Sequence, residues 1–358
     1  MHRPPRLGTL AAAIFAGLAS AAAATAQDAQ YVASPISVGQ RYFMATHSFN
    51  VFIGPNRRTG EPGPLAVLAR EAELAGHENL GVQMIGGSTP MQHWNQGDGD
   101  DGQNLAKVGL RAGGVDVFTM SPNAIMPEEG IDLFADLVIE TNPEGRILVQ
   151  HSWSAWDGNG LTASVGGTGR PDFANEDHDR ADVATLQGWI DRAHAPGGYV
   201  ERLRTQLAGI NQRAGREMAY VVPSATAVYR LRQEVVRGNV PGIERQSELF
   251  IDGMGHPATP IVNLVTYVWF TTMYLQPATG LTALVDPTDP TSAARERLLQ
   301  QIAWDVVAAE PMSGLMLEHI WLGRTRGQHP HATEAGEGHE GHGTPGLHPP
   351  QMPPGGRE

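Results

Sequence analysis

Between residues 39 and 156, short apolar runs alternate with helix-length stretches, and this rhythm restricts the fold more than any other feature of the chain. Residues 41–45, 80–85, 115–120 and 146–150 read as strands, each short, mainly apolar and closed by polar or small residues. Residues 65–74, 105–112 and 131–140 lie between them and carry helical spacing. Strands separated by helices of this length pair in parallel through right-handed crossovers. The expected class is therefore α/β with a central parallel sheet. Residues 218–222, closed by Pro223, add a last strand. Residues 183–193, 198–214, 225–238, 261–275, 293–309 and 314–322 are the remaining expected helices. Residues 157–182 break the rhythm: Gly, Asn, Asp and Pro dominate, and an irregular surface insertion is expected there.

The two ends read differently from the middle. Arg3 and Arg6 precede an Ala-rich apolar run, and Ala24-Thr25-Ala26 gives a small-residue cleavage signature, so residues 1–26 are expected to be a secretory signal peptide. A periplasmic or secreted address follows, with the folded part over residues 27–322. No other run approaches the ~18 apolar residues of a spanning helix, so no membrane span is expected. The chain has no cysteine, which leaves stability to an ordinary core. A formal net charge of -13 disfavours nucleic acid as a partner. Residues 323–358 collapse into Gly, Pro, His and Glu and are expected to be disordered. Their histidines (His329, His331, His339, His342 and His348) can take up divalent metal adventitiously, and a solubilising tail with no ligand is an equal reading. The folded part has no H-E-x-x-H spacing, so neither a catalytic metal nor another cofactor is expected. Asp98, Asp100 and Asp101 lack the order of a calcium loop and read as a solvated loop.

Without cysteine, covalent catalysis would need Ser, Thr, Asp, Glu or Lys. The first strand runs into His47-Ser48, and ligands of open α/β sheets bind at the carboxyl ends of strands. Two more strand ends carry small or polar residues, Gly86-Gly87-Ser88 and Ser121-Pro122-Asn123. Much later, Asp252 and His256-Pro257 precede the apolar helix. A serine nucleophile needs a base, a carboxylate to orient the base, and donors aimed at the oxyanion. Ser48, His256 and Asp252 can fill the first three roles, and the N–H groups of Ser48 and of Gly86 or Gly87, with the Asn123 amide, the last. His47 reads as a packing or pocket residue, because neighbours in a strand point to opposite faces. His93-Trp94 and Trp153…Trp156 follow two different strands and so fall on one sheet edge, where they are expected to form a rim for a flat, partly polar ligand such as a sugar. Core packing is expected for one of those tryptophans. Tyr267, Trp269, Phe270 and Tyr274 stand at helical spacing and read as core.

These blocks resemble the SGNH (GDSL-like) hydrolase superfamily, in an atypical exported branch. The resemblance rests on Thr46-His47-Ser48-Phe49-Asn50, Ile85-Gly86-Gly87-Ser88…His93-Trp94, Val115 to Pro122, Val149 to Trp153, and Asp252…His256-Pro257. It implies a three-layer α/β/α flavodoxin-like fold and a serine esterase mechanism through an acyl-enzyme. It makes Ser48 the nucleophile, His256 the base and Asp252 its orienter, with Gly87 and Asn123 as oxyanion donors. Thr46 stands where the family usually has glycine, and Ser121 takes the oxyanion position if the register differs by two. Three residues separate Asp252 from His256 where the family usually has two, so Glu248 or a backbone carbonyl is the alternative partner of the histidine. The expected function is hydrolysis of an ester or acyl substituent on a small molecule or carbohydrate. The alternative is a non-catalytic periplasmic carbohydrate-binding protein on a degenerate scaffold of the same kind.

Overall fold

A computed structural model of the chain describes residues 34–97, 101–123, 126–154, 157 and 176–315. The leader, the tail, Trp156, Asp98, Asp100 and most of the expected insertion lie outside these residues, as do residues 316–322 of the expected last helix. Residues 314–315 are described and are not helical.

Five strands form one sheet, β1 (Arg41–Thr46), β2 (Glu78–Met84), β3 (Val117–Met120), β4 (Arg146–Gln150) and β5 (Ala219–Val222), in the order β2-β1-β3-β4-β5. Every pairing is parallel. In β3 each residue is buried, as both faces of a covered parallel strand must be, which is why it reads as a continuous apolar run. Phe43 of β1 and Phe118 of β3 stack at 6.4 Å, and Phe118 meets Phe134 at 5.0 Å in the core.

The helices are α1 (Pro64–Glu71), α2 (Pro90–Trp94), α3 (Leu105–Ala112), α4 (Glu129–Thr141), α5 (Val183–His194), α6 (Tyr199–Ala214), α7 (Ser224–Val236), α8 (Thr259–Tyr274) and α9 (Ser292–Ala309). Local chemistry starts several of them. Pro64 and Pro260 occupy early helical positions, where the missing N–H costs nothing. Thr89 and Gln92 form a reciprocal capping box on α2, and Asn104 and Asp182 cap α3 and α5. Helix α1 packs on α8, while α2, α3, α4 and α6 pack among themselves. The chain is thus a three-layer α/β/α protein with the flavodoxin strand order. Among the described residues no helix is long and apolar enough to cross a membrane.

That strand order has a consequence for the site. The chain leaves β1 toward α1 and leaves β3 toward α4, which belong to different helix layers. Between two strands whose exits diverge, a crevice opens at the carboxyl edge.

Gln150 closes β4 below this crevice and is fully buried. Its Nε2 donates to the Phe49 carbonyl (3.1 Å) and Ser152 Oγ (2.9 Å), and its Oε1 accepts from Ser224 Oγ (3.0 Å) and Trp269 Nε1 (2.7 Å). One side chain therefore ties the loop after β1 to β4, α7 and α8. Gln150→Leu strands several buried polar groups at about 1–3 kcal/mol each, partly relieved by water. A loss of roughly 3 kcal/mol or more in urea unfolding is expected; a loss below about 0.5 kcal/mol would show that the side chain is not the tie described.

Candidate active site

Ser48 sits in the turn that follows β1. The His47 carbonyl accepts the N–H groups of Asn50 (3.2 Å) and Val51 (3.0 Å), which bends the chain sharply and leaves Ser48 half-buried at the crevice. Ser48 Oγ lies 3.0 Å from His256 Nε2, and His256 Nδ1 lies 2.6 Å from Asp252 Oδ2. A carboxylate only accepts, so the proton is on Nδ1 and the Nε2 lone pair faces the serine hydroxyl. This is the tautomer a general base requires.

The spacing between acid and histidine is absorbed by the loop itself. Gly255 adopts a φ of 82°, a left-handed conformation that glycine takes without steric cost. Asp252 Oδ1 accepts the N–H groups of Met254 (3.0 Å) and His256 (3.1 Å), while Ile251 N–H donates to the His256 carbonyl (2.9 Å). Asp252 thus orients the imidazole with one oxygen and folds its own loop with the other. Partial desolvation pushes its carboxyl up, but the bonds from His256 and the loop outweigh this and hold it below its ordinary value. Glu248, the alternative acid, is taken up by the N–H groups of Glu244 and Arg245.

The opposite lip carries the expected oxyanion donors. Ile85 N–H donates to the Thr46 carbonyl (3.1 Å), which brings the Gly86-Gly87 turn beside Ser48. Gly87 has a φ of 61°, and Asn123 Nδ2 donates to its carbonyl at 2.9 Å. Gly87 and Asn123 therefore stand together at the crevice. The N–H groups of Ser48 and Gly87 meet no acceptor among the described residues. Ser121 does not share this place. It is buried, and its Oγ accepts Asn50 Nδ2 at 2.9 Å, so it braces the Ser48 turn and is withdrawn from the oxyanion role.

The expected rim also needs correction. Trp153 is only 4% exposed; its Nε1 donates to the Gly255 carbonyl (2.9 Å) and its ring stacks on Phe49 at 4.7 Å. Phe49 in turn meets His256 edge-on at 5.4 Å. Trp153 supports the acid–histidine loop from within, because its indole N–H needed a buried acceptor. Trp94 packs edge-on against Phe134, with Lys107 Nζ 3.9 Å from its ring centroid. His93 is buried as well. Gln83 Nε2 donates to its Nδ1 (3.2 Å), so its Nε2–H donates to Ser88 Oγ (2.8 Å), which bonds the Ile85 carbonyl (2.9 Å). His93 braces the Gly86-Gly87 turn from behind and cannot reach a substrate. Trp156, the fourth rim residue, is outside the described residues.

Asn50 and Gln150 fall inside the blocks that carry the resemblance, but the sequence assigns no supporting role to them or to His178. Gln150 had one signal, a lone polar residue closing an apolar strand; the others had none. Among the described residues, no three or more of His, Asp and Glu are grouped to hold a metal.

No family model and no curated protein matches the chain. Among solved structures, it is similar to the crystal structure of a DUF4886 family protein from Bacteroides uniformis ATCC 8492, with 12% identity and a TM-score of 0.45. That match covers 75% of this chain and 95% of the other.

Two buried histidines give the site a pH signature. Burial pushes His47 and His93 down to about 4, in His93 with a further contribution from the neighbouring His47. The unfolded chain, with histidine near ~6.5, takes up these protons first as pH falls. Their contribution to stability is complete above ~6.5 and is lost as pH falls toward the folded-state value, by at most roughly 3 kcal/mol per histidine. The melting temperature of the wild type should therefore fall more steeply between about pH 7 and about pH 4.5 than that of His93→Gln. Parallel profiles would contradict a buried neutral His93.

Proposed function

We propose that this chain is a serine ester hydrolase working through an acyl-enzyme. The observation that carries the reading is the continuous hydrogen-bonded chain Ser48–His256–Asp252 at the carboxyl edge of the sheet. In the first step Ser48 Oγ attacks the ester carbonyl carbon and its proton passes to His256 Nε2. The carbonyl π electrons move onto oxygen, where the Gly87 and Ser48 N–H groups and the Asn123 amide are the candidate donors. Collapse breaks the bond to the alcohol oxygen, which takes the proton from His256. Water then repeats the sequence on the acyl-serine, with His256 again as base, releasing the acid and restoring the serine. Asp252 stays ionised throughout and stabilises the imidazolium.

The substrate is an ester or acyl group. A carbohydrate-linked acyl group draws support from the rim tryptophans and the expected exported address; Trp94 and Trp153 are taken up by packing, which leaves the address. The non-catalytic reading rested partly on the stretched acid–histidine spacing, which the Gly255 conformation accommodates. Export to the periplasm or beyond remains a proposal carried by the leader sequence.

Wild-type protein should be labelled by a fluorophosphonate probe and should hydrolyse a short-chain aryl ester, while Ser48→Ala does neither and melts as the wild type does. The loss in kcat should be on the order of 10⁴-fold or more. Asp252→Asn should retain the serine but lose roughly 10³–10⁴-fold in kcat, because Nδ1 loses the acceptor that fixes the tautomer. An unlabelled wild type, or Ser48→Ala at full activity, would refute the mechanism.

A further inference from the structure

Asp252 is an unusual anchor for a triad, since its side chain is 44% exposed and it lies on a glycine-rich loop. Its backbone is held from beneath by a buried chain of charged groups. His178 Nε2 lies 3.1 Å from the Asp252 carbonyl oxygen, and its Nδ1 lies 3.6 Å from Asp157 Oδ2. The carbonyl oxygen only accepts, so Nε2 carries a proton and donates it there, while Nδ1 faces the Asp157 carboxylate at ion-pair rather than hydrogen-bond distance. Asp157 also takes the Arg232 guanidinium in two parallel bonds, at 2.7 and 2.5 Å. Arg232 further donates to the His178 carbonyl (2.8 Å) and to Gln246 Oε1 (2.7 Å). Phe250, two residues before Asp252, lies against the His178 ring at 4.3 Å.

Arg232, Asp157 and His178 are 1%, 5% and 6% exposed. A buried ion pair adds little net stability, because desolvation offsets most of the attraction. What such a cluster does supply is a fixed position, since a shift of Arg232 breaks its paired bonds to Asp157 and its bond to the His178 carbonyl. Desolvation lowers the pKa of His178, but the facing Asp157 carboxylate and the bond to the Asp252 carbonyl more than reverse this and raise it above the ordinary value.

We propose that His178, held by Asp157 and Arg232, is a positioning residue that fixes the Asp252 carbonyl and through it the bond from Asp252 to His256. This rests on the serine-hydrolase reading for its kinetic consequence but not for its geometry. His178→Phe keeps a ring against Phe250 and removes the donor. In the full-length protein it should lower kcat on an aryl ester roughly 10- to 100-fold, with KM within about twofold. His178→Gln, which places an amide N–H near the Nε2 position, should recover most of that loss. The downfield proton resonance of His256 Nδ1 should be sharp in the wild type and in His178→Gln, and broadened or lost in His178→Phe.

Folded His178→Phe with wild-type kcat and an unchanged resonance would overturn the proposal. If that variant fails to fold, nitrogen NMR of wild-type His178 decides it: a protonated Nε2 near neutral pH supports the clamp, and a bare Nε2 sinks it. Fluorophosphonate labelling reads the serine mechanism separately. An unlabelled wild type ends that reading, while the two NMR measurements still test the clamp.

Discussion

The divergence of the chain at the ends of β1 and β3 is the constraint on which the candidate site depends. A right-handed crossover from β1 to the sheet edge carries α1 to one helix layer, and the crossovers that return past β1 and on to β4 carry α2, α3 and α4 to the other. The backbone cannot fill the gap between these exits. Ser48 and Asn123 stand at this gap, and the loop before α8 brings in His256. Each is delivered by a different connection; Ser48 and Asn123 reach one edge because β1 and β3 point the same way, and His256 is held there by its bond to Ser48.

Below that gap lies a polar floor. Gln150, Asn50, Ser121, Ser88 and His93 are buried, and their bonds run to the loops that carry Ser48 and Gly87. In such surroundings an unpaired donor or acceptor costs more than a paired one gains, so these groups hold one arrangement or forfeit it entirely. The loops inherit that precision. Helix packing alone would not provide it, since apolar contacts tolerate small slides that hydrogen bonds do not.

The strands and helices were legible because burial imposes a readable pattern: a covered parallel strand must be apolar, and a helix on it must be apolar on one side. Boundaries moved by one to three residues, as at β3, α4 and the end of α1, and α2 was missed because five residues carry too little periodicity. Ser48, His256 and Asp252 were legible as chemical types standing at strand or helix ends. The rim was misread, for a physical reason. Position at a strand end says which edge a residue is on, but not whether its side chain faces the crevice or turns back into the core. Trp153 and His93 turned back because each found a buried partner, the Gly255 carbonyl and Ser88 Oγ. His178 could not have been found from sequence. It lies 54 residues from Arg232 and 74 from Asp252, in a stretch without period.

The two sides of the crevice are therefore held by different physics. The side that carries Ser48, Gly87 and Asn123 grows directly from β1, β2 and β3, so its positions are as firm as the sheet. The side that carries Asp252 and His256 is a short irregular loop whose carboxylate faces solvent, where a side chain bond alone is weak. Precision there has to come through the backbone, and the anchors present are of that kind: His178 on the Asp252 carbonyl, Trp153 on the Gly255 carbonyl, and Asp252 on two N–H groups of its own loop. Carbonyl and amide groups do not change rotamer, so fixing them leaves the carboxylate few places to go. An exposed aspartate can then orient a histidine nearly as a buried one would. It avoids the desolvation penalty of a buried carboxylate, and its charge stays available at pH values where a buried, unpaired acid would already be protonated.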